Sequence, residues 1–235
     1  MVAHVYYPEL WSEIADRIAL VPGEVDVVVT LVRDRAAGLA AGIRERWPGA
    51  DVRVVENRGR DWWPLVQVLD RVAGHDAVLK LHTKRTPHLP WGEAWRGDLL
   101  DGVCGSTEQV DQILRLLVSD PRVGIVAPPR NVLGREFVGN NAGGLSGLVR
   151  RSGVAYRPAE LWFPAGSMFW ARPEVVLALA DLDLTAEEFG VESGAIDGTA
   201  AHALERYLGV VAAARGLAVV ESSEVDGLLA LAASA

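Results

Sequence analysis

The chain has 235 residues, half of them apolar, and carries 23 Lys and Arg against 31 Asp and Glu, for a net charge of −8. That composition is globular and long enough for one well-packed core, and its acidity argues against nucleic acid as a partner, because phosphate backbones demand a basic surface. A single cysteine, Cys104, excludes an intrachain disulfide and a Cys-rich metal site.

Strand-like apolar runs alternate with helical patterns, which predicts an α/β fold: a mainly parallel twisted sheet with helices on both faces. Residues 2–7 read as the first strand, and Pro8 opens a helix with apolar residues at Leu10, Trp11, Ile14 and Ile18. A fully apolar second strand at 25–32 leads into a helix at 35–47, stopped by Pro48-Gly49. A third strand at 52–55 precedes a helix at 62–72, and a fourth at 77–81 precedes helices at 93–103 and 107–118. Another buried strand, 123–127, ends at Pro128-Pro129. The Gly- and Asn-rich stretch 131–152 reads as a long surface excursion, of the kind that serves as a lid or binding loop. Beyond it come a strand-like run at 163–171, helices at 173–179 and 199–208, a last strand at 217–220 and an Ala- and Leu-rich tail from 228. No repeat or linker interrupts the pattern, so one domain spanning 1–235 is expected. The N-terminus lacks the basic-then-apolar plan of a signal peptide, and no apolar run reaches the roughly 20 residues a bilayer crossing needs. A soluble, cytoplasmic protein is expected.

The richest stretch runs from Asp76 to Thr86, where a buried strand delivers Lys80, His82, Thr83, Lys84 and Arg85 at its carboxyl end. In open α/β sheets that end is where ligands bind. The strand pleat puts Lys80, His82 and Lys84 on one face and Leu79, Leu81 and Thr83 on the other. A lysine in an apolar strand needs an anion, and two readings stand: a neighbouring carboxylate, or the phosphate of a ligand. Charge is segregated along the chain. Between Lys80 and Arg96 the only carboxylate is Glu93, whereas 181–197 holds six carboxylates and no cation.

The turn Glu56-Asn57-Arg58-Gly59-Arg60-Asp61 precedes a helix, with Asp61 placed to cap it. It reads either as a capped turn with solvated arginines or as a phosphate or nucleoside site. Gly143-Gly144-Leu145-Ser146-Gly147 follows no strand and carries little weight, and Asp181-Leu182-Asp183 has metal-binding spacing but the setting of a solvated turn. In the helix after Asp197, with Asp197 or Thr199 as its cap, Thr199, His202 and Arg206 lie along one face with Glu205 one turn from His202. That set reads as an occupied polar site or as an internal hydrogen-bond network.

Several blocks occur in order: His4-Val5-Tyr6-Tyr7-Pro8, the turn at 56–61, Lys80-Leu81-His82-Thr83-Lys84, Trp95-Arg96, Gly124-Ile125-Val126-Ala127-Pro128, Phe163-Pro164-Ala165-Gly166-Ser167-Met168-Phe169-Trp170-Ala171-Arg172, and Ile196-Asp197-Gly198-Thr199 through His202 and Glu205-Arg206. Together they resemble the rhamnan synthesis protein F family of bacterial polysaccharide glycosyltransferases. The resemblance implies a GT-A-like fold, with a nucleotide-sugar half at about 1–127, an acceptor half at about 128–222 and a tail at 223–235. It implies transfer of a sugar, rhamnose above all, from a nucleotide-diphosphate donor to a growing cell-surface glycan or lipid-linked glycan, with inversion. Other assembly proteins would bring the chain to the inner face of the membrane.

On that reading His4, Asn57, Arg58, Gly59, Arg60 and Asp61 line the nucleotide, Lys80, His82 and Lys84 meet the diphosphate, and Thr83 belongs to the same nucleotide-sugar site. Gly166, Ser167, Met168 and Trp170 form the acceptor side. Glu192 or Asp197 is the base, Glu192 being preferred because Asp197 could serve as a helix cap, and His202 and Arg206 orient acceptor or pyrophosphate. The family fold's usual Asp-x-Asp is missing where the fourth strand ends in cations, so metal-independent chemistry without a cofactor is expected, with Asp181 and Asp183 in reserve if a metal is used. Two rivals are a non-catalytic carbohydrate-binding or scaffolding protein and a metal-dependent nucleotidyltransferase.

Overall fold

β1 (Val2–Val5) runs through a 3₁₀ turn at Pro8–Leu10 into α1 (Trp11–Ile18), with Pro8 where no backbone donor is needed. β2 (Val28–Val32) leads by another 3₁₀ turn to α2 (Leu39–Arg46), and β3 (Asp51–Val55) to α3 (Trp62–Val66). β4 (Val78–His82) is followed by α4 (Gly92–Cys104) and by α5 (Thr107–Ser119), which Ser106 caps by accepting from Gln109 N. Then come β5 (Val123–Ala127), β6 (Val132–Gly134), α6 (Ala142–Ser152), β7 (Trp162–Pro164), β8 (Phe169–Ala171), α7 (Pro173–Leu177), α8 (Ala200–Ala214), β9 (Ala218–Glu221) and α9 (Val225–Ala232). This is a computed structural model, and it describes residues 1–36, 38–86, 89–190, 192, 194, 195 and 197–232.

The main sheet has the order β3-β2-β1-β4-β8-β5-β9, and β6 pairs with β7 in a small sheet beside it. β1 to β4 are mutually parallel, β5 and β9 are parallel to each other, and β8 is antiparallel to both β4 and β5. The fold is therefore α/β, with a mostly parallel but mixed sheet. Parallel strands buried on both faces read as continuous apolar runs, as β2, β4 and β5 do. Val2, Val28, Val78 and Phe169 face one core, under α3, α6, α7 and α8. Ala3, Val29, Leu79 and Trp170 face the other, under α1, α2, α4, α5 and α9. Register places Val2 beside Lys80 and His4 beside His82, all directed to the α8 side.

Three expectations change. The stretch 131–152 is no excursion: it contains β6 and α6, and Leu145 is buried against α8. Its glycines weaken a helix in isolation by about 1 kcal/mol each. Gly144 has a packing reason, since a Cβ there would meet Ala203 Cβ at 3.0 Å, so the glycine lets α6 approach α8 closely. The run 163–171 divides into β7 and β8, in different sheets, around a tight turn at 165–167. α8 continues to Ala214, well beyond the expected 208, because the tertiary core buries Tyr207, Leu208, Val210 and Val211.

Candidate active site

A cavity of about 690 Å³ opens at the carboxyl ends of β1 and β4, a volume suited to a small-molecule ligand. Its lining includes His4, Asn57, Arg60, Asp61, His82, Thr83, Lys84, Gly166, Ser167, Glu192, Asp197, His202 and Arg206. Residues of the predicted donor, acceptor and base groups as far apart as His4 and Arg206 thus meet in one place, because β4 and β8 are neighbours and α8 packs on β7 and α3 beside them.

The floor is a sealed ionic cluster. Lys80 is 2 % exposed; its Nζ donates to the Asp61 carboxylate and, at 2.7 Å, to the Ser167 carbonyl, and lies 4.9 Å from the centroid of the Trp62 ring. Lys80 does not line the cavity, so the expectation that it meets a diphosphate is corrected: the neighbouring carboxylate satisfies it. Asp61 does not cap α3 through its side chain. Burial alone would push its carboxyl up, yet the Lys80 ammonium and the adjoining imidazoles hold it well below the usual range. His82 Nδ1 stands 3.7 Å from Asp61 without a hydrogen bond, and His4 Nδ1 is 2.9 Å from Thr30 Oγ1. Burial lowers His4 to about 4 and His82 to about 3, so both rings are neutral at pH 7. Thr83 Oγ1 accepts from the backbone N–H of Tyr6 and of Tyr7, both at 2.9 Å, tying the end of β1 to the end of β4.

Lys84 differs from this floor. It is half-buried and lines the cavity, its Nζ lies 4.5 Å from the Trp95 ring centroid, and it makes no ion pair among the described residues. Burial lowers its pKa. Beside it Tyr6 and Tyr7 pack edge to face at 4.7 Å, and Arg85, paired with Glu9 at 2.8 Å, lies over the Tyr7 ring.

The opposite wall comes from residues 192–206. Arg60, in a left-handed conformation (φ 56), donates to Glu192 at 3.3 Å and to the Ala195 carbonyl, and stands 3.2 Å from His202 Nε2. His202 Nδ1 accepts from the backbone N–H of Thr199 at 3.4 Å and stands 2.8 Å from Thr199 Oγ1, closing the capping box of α8. Thr199, not Asp197, caps α8. His202, lowered to about 4 by burial and the Arg60 charge, has no free basic nitrogen; it positions Arg60. Asp197 accepts from Asn141 Nδ2 at 2.5 Å and from Asn140 N at 3.2 Å; against the upward push of burial, these bonds hold its pKa down. Among the described residues Glu192 keeps only the Arg60 contact and a bond from Gly194 N at 2.8 Å. Arg206 donates to Glu205 at 2.7 Å and stacks on Phe163, so it positions Glu205.

Four other predicted residues lie off the cavity. Arg58 pairs with Glu56 and donates to the carbonyls of Ala186 and Phe189. Gly59 (φ 59) is buried against Phe189 and Trp63, where any Cβ would collide. Met168 and Trp170 point into the opposite core, Trp170 Nε1 donating to Val103 O at 2.8 Å; the strand pleat that brings Phe169 to the α8 side sends both its neighbours away. Asp181 and Asp183 are exposed on a turn outside the cavity, and no group of three metal-binding side chains occurs among the described residues. The cavity also takes in Tyr6, Tyr7 and Trp95, which had no role in the sequence reading, and Arg85 and Glu205, which the strand end and the polar helix face had marked without a role of their own. The same strand-end rule that selected 82–84 could have found the two tyrosines after β1; nothing in its chemistry marked Trp95.

Residues 1–217 match the family model for rhamnan synthesis protein F. The uncharacterized protein WxcX of Xanthomonas campestris pv. campestris, in strain B100 and in strain ATCC 33913, is 36 % identical over 231 residues, or 97 % of this chain. The chain spans about a third of the length of these relatives, 33 % in both. No solved structure matches.

Proposed function

The chain belongs to the rhamnan synthesis protein F family, and from that membership in a polysaccharide-synthesis family we propose that it is an inverting glycosyltransferase with a GT-A-like fold. It moves a sugar, rhamnose in the first instance, from a nucleotide-diphosphate donor to a growing glycan. The observation that carries the reading is Lys84: a half-buried cation, unpaired among the described residues, inside a cavity at the carboxyl ends of parallel strands. The Asp61 and Glu205 carboxylates attract it without forming an ion pair, and a ligand anion in direct contact would offset the cost of burying it. A parallel block of strands followed by one antiparallel strand supports the fold assignment.

The acceptor hydroxyl attacks the anomeric carbon as the bond to the diphosphate oxygen breaks. Its proton passes to Glu192 in preference to Asp197, whose carboxyl the amides of Asn141 and Asn140 hold below its ordinary pKa and so make a weaker base. Negative charge grows on the leaving diphosphate, so Lys84 and Arg85 stabilise the transition state more than the ground state. Cations at the end of β4 would repel a metal, and turnover is expected to survive EDTA. Loss with EDTA and rescue by magnesium or manganese would overturn that part. The primary test is a screen of nucleoside diphosphates and nucleotide sugars for protection against melting and for release of nucleotide. A protein that binds glycans but no nucleotide would be a carbohydrate-binding module instead.

A further inference from the structure

Glu205 lines the cavity from the second turn of α8 and is 9 % exposed. Three donors converge on its carboxylate: Gly166 N at 3.0 Å and Ser167 Oγ at 2.6 Å on Oε2, and Arg206 at 2.7 Å on Oε1. The first two come from a turn with consecutive left-handed residues, Gly166 (φ 87) and Ser167 (φ 58). For a serine that conformation is strained, and surrounding structure has to impose it. Here it does: Trp62 Nε1 donates to Ser167 Oγ at 3.1 Å and Lys80 Nζ donates to the Ser167 carbonyl at 2.7 Å. With one lone pair taken by Trp62, the Ser167 hydroxyl turns its proton to Glu205. The sealed floor thus holds a strained turn whose donors aim at one cavity carboxylate.

A carboxylate offers about four acceptor positions, and the protein fills three. The fourth, on Oε1, has no donor among the described residues. Burial pushes the Glu205 carboxyl up against the lowering effects of Arg206, Ser167 and Lys84. A phosphate would be repelled at that oxygen, and a hydroxyl would not.

We propose that the open acceptor position of Glu205 takes a hydroxyl of a sugar ring bound in the cavity, which makes Glu205 a specificity-determining contact distinct from the base. The inference rests on the transferase reading. The hydroxyl belongs to the donor sugar or to the acceptor, and the two arms of the test tell them apart. Parent, Glu205→Gln and Glu205→Asp are titrated calorimetrically with nucleoside diphosphates and with rhamnose-, glucose- and galactose-bearing nucleotide sugars. Donor hydrolysis and transfer to a rhamnose oligosaccharide are then followed kinetically. Glutamine must turn an N–H toward either Arg206 or the Gly166–Ser167 donors, which spoils the set.

Glu205→Gln is expected to bind the bare nucleoside diphosphate as the parent does while losing at least about tenfold in affinity for the nucleotide sugar, or in KM for the acceptor alone. The first result places the hydroxyl on the donor and the second on the acceptor. Unchanged affinities with a collapsed kcat would make Glu205 a base and overturn the inference, as would parental behaviour throughout. If Glu205→Gln does not fold, Glu205→Asp, which keeps the charge but withdraws it by one methylene, must show the same split, and parental values for it overturn the inference. A parent that binds no member of the panel refutes the transferase reading itself, and this inference with it.

Discussion

Lys80 and Lys84 lie on one face of the same chain segment, four residues apart, and their surroundings are opposite. Lys80 is sealed beneath α3 and α8, paired with Asp61 and the Ser167 carbonyl, with two neutral histidines beside it. Lys84 lies past the end of β4, where the covering helices stop and the cavity begins, without an ion-pair partner among the described residues. Burying a charge demands a partner, so the floor has become structure; charge at the rim is left for a ligand. Alternation along a strand assigns a side chain to a face, but the extent of the covering layer decides whether that face is core or cavity.

The contrast breaks most sharply through Glu192. Glu192→Gln keeps the shape and removes the base, and it is expected to lower the transfer rate by about 10²–10⁴ with donor affinity and denaturation midpoint preserved. If Asp197→Asn is folded and dead while Glu192→Gln turns over at the parental rate, the base is Asp197. The floor should behave in the opposite way. Lys80→Ala strands the buried Asp61 charge and should cost about 3–5 kcal/mol in urea denaturation, whereas Lys80→Met combined with Asp61→Leu should recover most of that loss. Equal stability for Lys80→Ala and parent would show that the ion pair does not hold the floor.

Acid sharpens the same comparison. His4 and His82 have folded pKa values near 4 and 3 against 6.5 unfolded. Below pH 6.5 the unfolded chain therefore binds more protons than the folded one, and stability falls as pH drops toward 4. Between pH 7 and 5 each ring should cost about 1–2 kcal/mol; Glu205, raised by burial, acts in the opposite sense above its ordinary value of 4.5. Urea midpoints at the two pH values check this, and His82→Asn should reduce the slope. The smallest effect belongs to the rim. Lys84→Ala should weaken nucleoside diphosphate binding at least about tenfold by calorimetry and leave the midpoint where it is. Unchanged affinity would remove Lys84 from the site.

The sequence by itself determined the alternation of strands and helices and the strand end where ligands would gather. Apolar runs such as 123–127 and the amphipathic pattern of 107–118 are local signals, and the corresponding elements, β5 and α5, lie within a residue of expectation. Local chemistry also drew attention to His82, Lys84, Glu192 and His202, all of which line one cavity. Only the tertiary structure decided the rest. α6 is helical because it packs on α8, with Leu145 buried and Gly144 allowing the close approach, and 163–171 splits because its halves join different sheets. Asp61 is a counter-ion instead of a cap because β4 brings Lys80 to it across 19 positions of sequence. Glu205 became a cavity carboxylate when a strained turn 38 residues earlier aimed its donors there. Pattern and propensity act over a few residues, whereas desolvation, pairing and strain depend on which distant groups the packed chain brings together.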